Sequence, residues 1–299
     1  MTDPVLHDVV RLAMSALSQG CLYGLVAIGF SLIYNSTCVI NFAQGEFVML
    51  GGVLSFAGIY YGLPLALAVL LAIILTTLVG LALQRVIISP LHRRHAPSFS
   101  YAFTLFGISV ILSNLVLVTA GSEAITVPAF TSGPPVEIFT AFVQRQSLWL
   151  IAVSLLVTAG LTVFWTCTLT GKAMRAAAMD PAAARLVGIS ISRVVAAAYA
   201  LSATFGAIAG AVSAPIILTG YNIGLPLLVK GFVAAIIGGF GSVFGAMIGG
   251  LALALIEAFS SYFISSTYRD VISFVVMILF LLVLPHGLFG RRTGHRLEI

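Results

Sequence analysis

The sequence predicts an all-α bundle that crosses a membrane many times, and three observations carry that prediction. Charge is scarce: 14 Lys or Arg and 9 Asp or Glu in 299 residues, against 60% hydrophobic residues and a mean hydropathy of +1.15, more than the surface of a soluble domain can carry. Apolar stretches recur along the chain at the roughly 20-residue length that a helix needs to span hydrocarbon. These runs are continuous and rich in Leu, Ala, Ile and Gly, whereas an outer-membrane barrel would alternate apolar and polar positions in segments of about 10 residues.

The runs lie at about 9–34, 44–62, 64–88, 98–120, 147–168, 194–218, 226–240, 242–264 and 270–289. They make eight or nine membrane segments, because 226–240 is short and glycine-rich and fits a re-entrant or broken helix fused to its successor. The first run is too long for a cleaved signal peptide, and its leader carries Asp3 and Asp8 in place of a basic cluster, so it reads as a retained span. Cys21, Cys38 and Cys167 show no metal spacing and read as small apolar fillers. No soluble domain fits between any two runs, so 1–299 reads as one transmembrane domain.

Orientation follows from the basic residues, which stay in cytoplasmic loops. Ten of the fourteen cluster in three places: Arg85, Arg93 and Arg94; Lys172, Arg175, Arg185 and Arg193; and Arg291, Arg292 and Arg296. The N-terminus, with Arg11 alone, and the loop 121–146, with Arg145 alone, are placed outside, and the C-terminus inside. One end on each side needs an odd number of crossings, which nine segments satisfy. Cations split among short loops beside apolar runs suit lipid headgroups and not nucleic acid.

Catalytic signatures are missing. Gly171-Lys172 lacks the first glycine and the hydroxyl of a phosphate-binding loop, so the chain has no ATP site of its own. There is no H-E-x-x-H, His92 and His95 have no acidic ligand nearby, and no G-x-S-x-G elbow occurs. Neither a metal site, a cofactor site nor an enzyme active site is expected.

Three stretches remain. In 169–193, Asp180 is an N-cap with Pro181 at the first helical position, and Gly188 is a stop. A preceding helical turn covers 172–179. This loop is too long for a mere connection and too alanine-rich to hold itself together. It either rests on the membrane as an amphipathic helix or packs against a partner through its alanines and cations. In "NFAQGE", Asn41, Gln44 and Glu46 sit between apolar runs. Glu46 is either a site candidate facing a cavity or a cap on the second span. Glycines at 238, 239, 241, 245, 249 and 250 contain the repeats Gly241/Gly245 and Gly245/Gly249, which make either a tight interface or a flexible break. Gly20/Gly24 and Gly206/Gly210 carry little weight beside them. Lys230 and Glu257 are expected near the outer ends of their segments, with their side chains reaching headgroups; a pairing between them is the alternative, though their spacing gives it no support.

"TGKAMRAAAMDPAAARLVGI" resembles the cytoplasmic coupling loop of permeases in ATP-binding-cassette importers, specifically the branched-chain amino acid permease family of the LivH type. "GCLYGLVAIGFSLIYNSTCVINFAQGEFVMLGG" at 20–52 and "GFVAAIIGGFGSVFGAMIGG" at 231–250 agree with it, and the similarity runs from about Leu12 to Phe289. Gln44 stands where the family's N-F-A-H-G-E has His, leaving a hydrogen-bonding amide and no titratable ring. The resemblance implies a pore-forming subunit importing hydrophobic amino acids. Its partners would be a second permease (in a heterodimer or a homodimer), two cytoplasmic ATPases that bind the ATP, and a periplasmic or extracellular binding protein. It implies a bacterial cytoplasmic-membrane location. It also assigns ATPase coupling to Lys172, Arg175, Ala177, Asp180, Pro181, Arg185 and Gly188, while the polar break itself nominates Asn41, Gln44 and Glu46 for the substrate pathway and the glycine spacing nominates Gly238, Gly241, Gly245 and Gly249 for packing. The rival class is a secondary transporter or channel for small polar solutes such as urea or amides, for which only Glu46 and Glu257 are available as buried carboxylates.

Overall fold

In hydrocarbon every backbone polar group must be satisfied within the protein, and a helix does this within a single segment. The computed structural model, which describes residues 4–94, 96–138 and 141–290, is accordingly helical. Its elements are α1 (Pro4–Thr37), α2 (Gln44–Tyr60), α3 (Leu65–Leu83), α4 (Ser89–Arg93), α5 (Ser98–Ala120), β1 (Val136–Ile138), β2 (Ala141–Val143), α6 (Arg145–Cys167), α7 (Leu169–Met179), α8 (Pro181–Leu186), α9 (Ile191–Ser213), α10 (Gly224–Gly238), α11 (Val243–Phe263) and α12 (Arg269–Val283). A π-helical turn at Gln84–Ile88 joins α3 to α4, next to Pro90, whose ring nitrogen has no proton to give to the ladder. β1 and β2 form a small antiparallel hairpin.

Among the described residues, seven helical stretches are long and apolar enough to cross a membrane. The nine apolar runs thus resolve into seven helices of spanning length and two shorter ones, α2 with 17 residues and α10 with 15. Arg291, Arg292, Arg296 and His95 lie outside the described residues.

The bundle is layered around α1, whose apolar window is 89% buried. α2, α9, α10 and α11 surround it, and α3, α5, α6 and α12 form the periphery. α12 is the most uncovered, with only Ser273 buried along its length, so its Val275, Ile278 and Leu282 face outward.

Small residues set the distances between these helices. A methyl group on Gly20 would lie 2.7 Å from the Leu251 Cα, and one on Gly250 would strike the Gly24 backbone. Gly238 meets the Gly245 carbonyl, and Gly249 meets the Ala234 carbonyl. Removing the side chain is what lets two helix backbones come this close. Gly20/Gly24 and Gly206/Gly210 prove to be contact positions as well: the first pair seats α11 on α1, and the second seats Phe47 and Val48 of α2 on α9. Counting chance glycine spacings gave them little weight because a count ignores which face of the helix is buried. Gly241 differs from the rest. It precedes α11, has φ +91° and lies in the turn where Asn35 Nδ2 donates to its carbonyl at 2.9 Å. The helix proper starts after Ser242, whose Oγ accepts from Gly245 N at 3.0 Å, so only Gly245/Gly249 is a repeat on one helix.

Gly250→Val is expected to lower the thermal midpoint of the detergent-purified protein by roughly 3–10 °C, the effect of overpacking by about 1–3 kcal/mol. Gly107→Val, where a methyl meets nothing within 4 Å, should leave the midpoint within about 2 °C.

Candidate functional site

Two segments break off inside the bundle. α1 ends at Thr37, Cys38 turns the chain at φ +54°, and residues 38–43 climb back so that the Gln44 amide packs against Gly29. Gly29 lies eight residues before Thr37, so α2 begins about 12 Å inside the end of α1. The turn is stabilised locally: Asn41 Oδ1 accepts from Ala43 N at 3.1 Å, and Gln44 N donates to Asn41 O at 3.2 Å. On the other side of the bundle, residues 214–223 lead from the end of α9 to Gly224. Thr219 and Ile125 exchange two backbone hydrogen bonds of 2.7 and 2.9 Å, tying this segment to the long loop after α5.

The starts of α2 and α10 meet at Glu46. Its side chain is 1% exposed. Ser109 Oγ donates to Oε1 at 2.8 Å and Ser113 Oγ lies 3.2 Å from Oε2, both from α5. Ser113 Oγ is also 3.0 Å from Tyr221 O. A methyl on Gly224, the first residue of α10, would come within 2.5 Å of Oε1, so only glycine lets that helix start against the carboxylate. Glu46 sits in the first turn of its own helix too, and the amide dipoles of both helices favour a negative group there. Glu46 thus stands at a helix start, and that start is buried. Gln44 and Asn41 are fully buried. Ser202 Oγ lies 2.5 Å from Gln44 Oε1 and 3.0 Å from Gly29 O, while Gln44 Nε2 and Asn41 Nδ2 have no protein partner.

The basic loop folds as a helical hairpin. Thr168 caps α7 by accepting from Gly171 N at 3.0 Å. Asp180 Oδ1 caps α8 by accepting from Ala182 N at 2.8 Å and Ala183 N at 3.0 Å, with Pro181 at the first position. Gly188, at φ +84°, ends it by donating to Arg185 O. Gly171, Met174, Ala177 and Ala184 face the bundle. Lys172, Arg175, Asp180, Pro181 and Arg185 are exposed, along with Met179, Val187 and Leu186, the last at 89%. Ala177 thus seats the hairpin, and the exposed side mixes cations with apolar side chains.

A third feature is a cluster of charges. Glu257 of α11 is 0% exposed and receives Lys230 Nζ at 2.5 Å, Arg269 Nε at 2.8 Å and Tyr23 OH at 3.0 Å. Ser273 also donates to it. Lys230 Nζ reaches Asp270 at 2.8 Å, and Arg269 donates to Gln19. Two cations and two anions balance, as burial demands. Lys230 and Glu257 therefore do not extend separately to headgroups. They pair inside the bundle, because a lone charge at that depth would be unsolvated.

A family model for the permease component of branched-chain amino acid transport systems matches residues 12–281. The chain belongs to that family. It is 35% identical to the high-affinity branched-chain amino acid transport system permease protein LivH of Escherichia coli (strain K12), over 97% of this chain and 98% of that one. It is 32% identical to the corresponding BraD protein of Pseudomonas aeruginosa, over 96% and 98%. The probable branched-chain amino acid transport permease protein LivH of Methanocaldococcus jannaschii is 27% identical, over 92% and 90%. Among solved structures, PsaBC from Streptococcus pneumoniae in complex with Fab has a TM-score of 0.49 at 12% identity, over 95% of this chain and 94% of that one, a likeness too remote to argue from.

In this permease the structure brings Asn41, Gln44 and Glu46 to one break, while Lys172, Arg175, Asp180, Pro181, Arg185 and Gly188 lie on a separate hairpin. The missed residues are Ser109 and Ser113, which partner Glu46, Gly224 at the start of α10, and the Glu257 cluster. Serines in an apolar run carry no signal of their own. Lys230 and Glu257 do: single opposite charges in successive apolar segments need a partner.

Glu257→Ala leaves Arg269 without a carboxylate and Lys230 with only the exposed Asp270, and is expected to cost about 3–5 kcal/mol, read as a large fall in the thermal midpoint in detergent. Asp270→Ala, at a side chain 78% exposed, should cost under about 1 kcal/mol.

Proposed function

We propose that this chain is the membrane-spanning subunit of an ATP-binding-cassette importer for branched-chain or other hydrophobic amino acids. It pairs with a second permease, two cytoplasmic ATPases that bind the ATP, and an external binding protein in the bacterial cytoplasmic membrane. Its N-terminus is outside and its C-terminus inside. The observation that carries this reading is the family match along nearly the whole chain, 12–281, at 35% identity to a branched-chain amino acid permease.

The geometry supports a division of labour. The α7–α8 hairpin is rigidly capped and seated through Met174, Ala177 and Ala184, so a push on its exposed side reaches α1, α6 and α9, on which it packs. Its cations mark the cytoplasmic side. The two half-length helices meeting at Glu46 are the elements whose displacement opens or closes a path, since broken helices flank transport sites in many carriers. The ATPases need only bias two packings of similar free energy. A secondary transporter or channel for urea or amides has less to work with, because Glu257 already holds two cations and leaves Glu46 alone to couple an ion.

Reconstitution with the partner subunits tests this. Arg175→Glu with Arg185→Glu should leave membrane insertion intact, abolish substrate stimulation of ATP hydrolysis and lower leucine uptake by at least about tenfold. Unchanged uptake, or ATP-independent movement of leucine by the chain alone down an ion gradient, would overturn the importer reading. Glu46→Ala should lower uptake about tenfold with complex assembly intact, and wild-type flux would reduce Glu46 to a structural helix start.

A further inference from the structure

The first chain break and α10 share a cavity. Ile40 and Phe42, from the segment before α2, face Leu228, Val229 and Phe232 of α10 across a space of about 130 Å³, bounded also by α1 and by Phe274 and Met277 of α12, with no polar side chain in its lining. Leu228 is common to both features, because a methyl on Gly45, the residue before Glu46, would lie 2.8 Å from its Cβ. The cavity therefore begins at the contact between α2 and α10. Asn41, between the two lining residues of the break, is fully buried and has an unpartnered Nδ2.

Size and chemistry select an occupant. A cavity of about 150 Å³ engineered into another protein and walled by Leu, Ile and Phe stays dry and takes up benzene. The three- or four-carbon side chains of valine, leucine and isoleucine are smaller than benzene. A dry apolar space gives no hydrogen bond to urea or an amide, which would lose water on entry. Each methylene removed from water is worth about fourfold in affinity, so leucine, with three carbons more than alanine, is favoured by roughly fiftyfold.

We propose that this cavity receives the aliphatic side chain of the amino acid in transit, which makes the permease itself selective for branched side chains. The proposal rests on the importer reading. It places the side-chain subsite where the first break and α10 each contribute a wall, so a movement of α10 relative to 38–43 opens or closes it.

The test uses the complete complex in proteoliposomes, with the binding protein saturated by L-leucine or by L-alanine so that its own preference drops out. Val229→Phe, which fills the space, should lower the leucine-to-alanine turnover ratio by at least about tenfold. Phe232→Ala, which enlarges it, should raise L-phenylalanine turnover relative to leucine and keeps the test open if the first variant fails to assemble. Ratios that stay at the wild-type value in both variants overturn the subsite and leave the importer reading standing. So does an acyl chain recovered with the wild-type protein and lost in Val229→Phe while the ratio holds, which would make the cavity a lipid site. A wild-type complex that moves neither amino acid with ATP overturns the importer reading instead.

Discussion

A backbone amide facing hydrocarbon has nothing to bond to, and that constraint decides where this chain departs from helix. Among the described residues, 38–43 and 214–223 are two such departures beside the inner helices, and each satisfies part of its backbone within the protein. Asn41 closes the first on itself through Ala43 N and Gln44 N, and Thr219 pairs the second with Ile125. Because these breaks need cover on every side, the helices that carry them, α2 and α10, are among the innermost, while the uninterrupted α3, α5, α6 and α12 can lie on the periphery.

Covering the breaks requires close approach, which the glycines provide. α1 is the element against which α10 and α11 are seated, through Gly231 on Val26 and Gly250 on Gly24. Attraction between apolar side chains adds little when lipid is equally apolar, so packing at backbone distance and internal polar contacts hold the inner layer together. The Glu257 cluster belongs to the same logic. It joins α1, α10, α11 and α12 through ionic hydrogen bonds whose charges sum to zero.

Much of this was legible in the sequence where the signal is local. Asp180, Pro181 and Gly188 announce their hairpin within nine residues, because capping is a matter of neighbouring amides. The break at Asn41–Glu46 shows as polar residues between apolar runs. The contacts that give the break its environment were not legible. Ser109 and Ser113 lie 63 and 67 positions from Glu46, Tyr23 lies 234 from Glu257, and no periodicity reports a meeting across such separations. The placement of α2 was also hidden, since the apolar run 44–62 gives the helix its length but does not reveal that it starts about 12 Å inside the end of α1.

α10 begins at the Glu46 carboxylate and carries Lys230 six residues further on, gripped from two sides. Sliding the helix along its axis would carry Lys230 Nζ past both Glu257 Oε1, 2.5 Å away, and Asp270 Oδ1, 2.8 Å away. Pivoting about Lys230 leaves those contacts whole and swings the glycine end on an arm of about 9 Å. Lys230 thus stands as a fulcrum, about which this inner helix can rock with its anchorage whole.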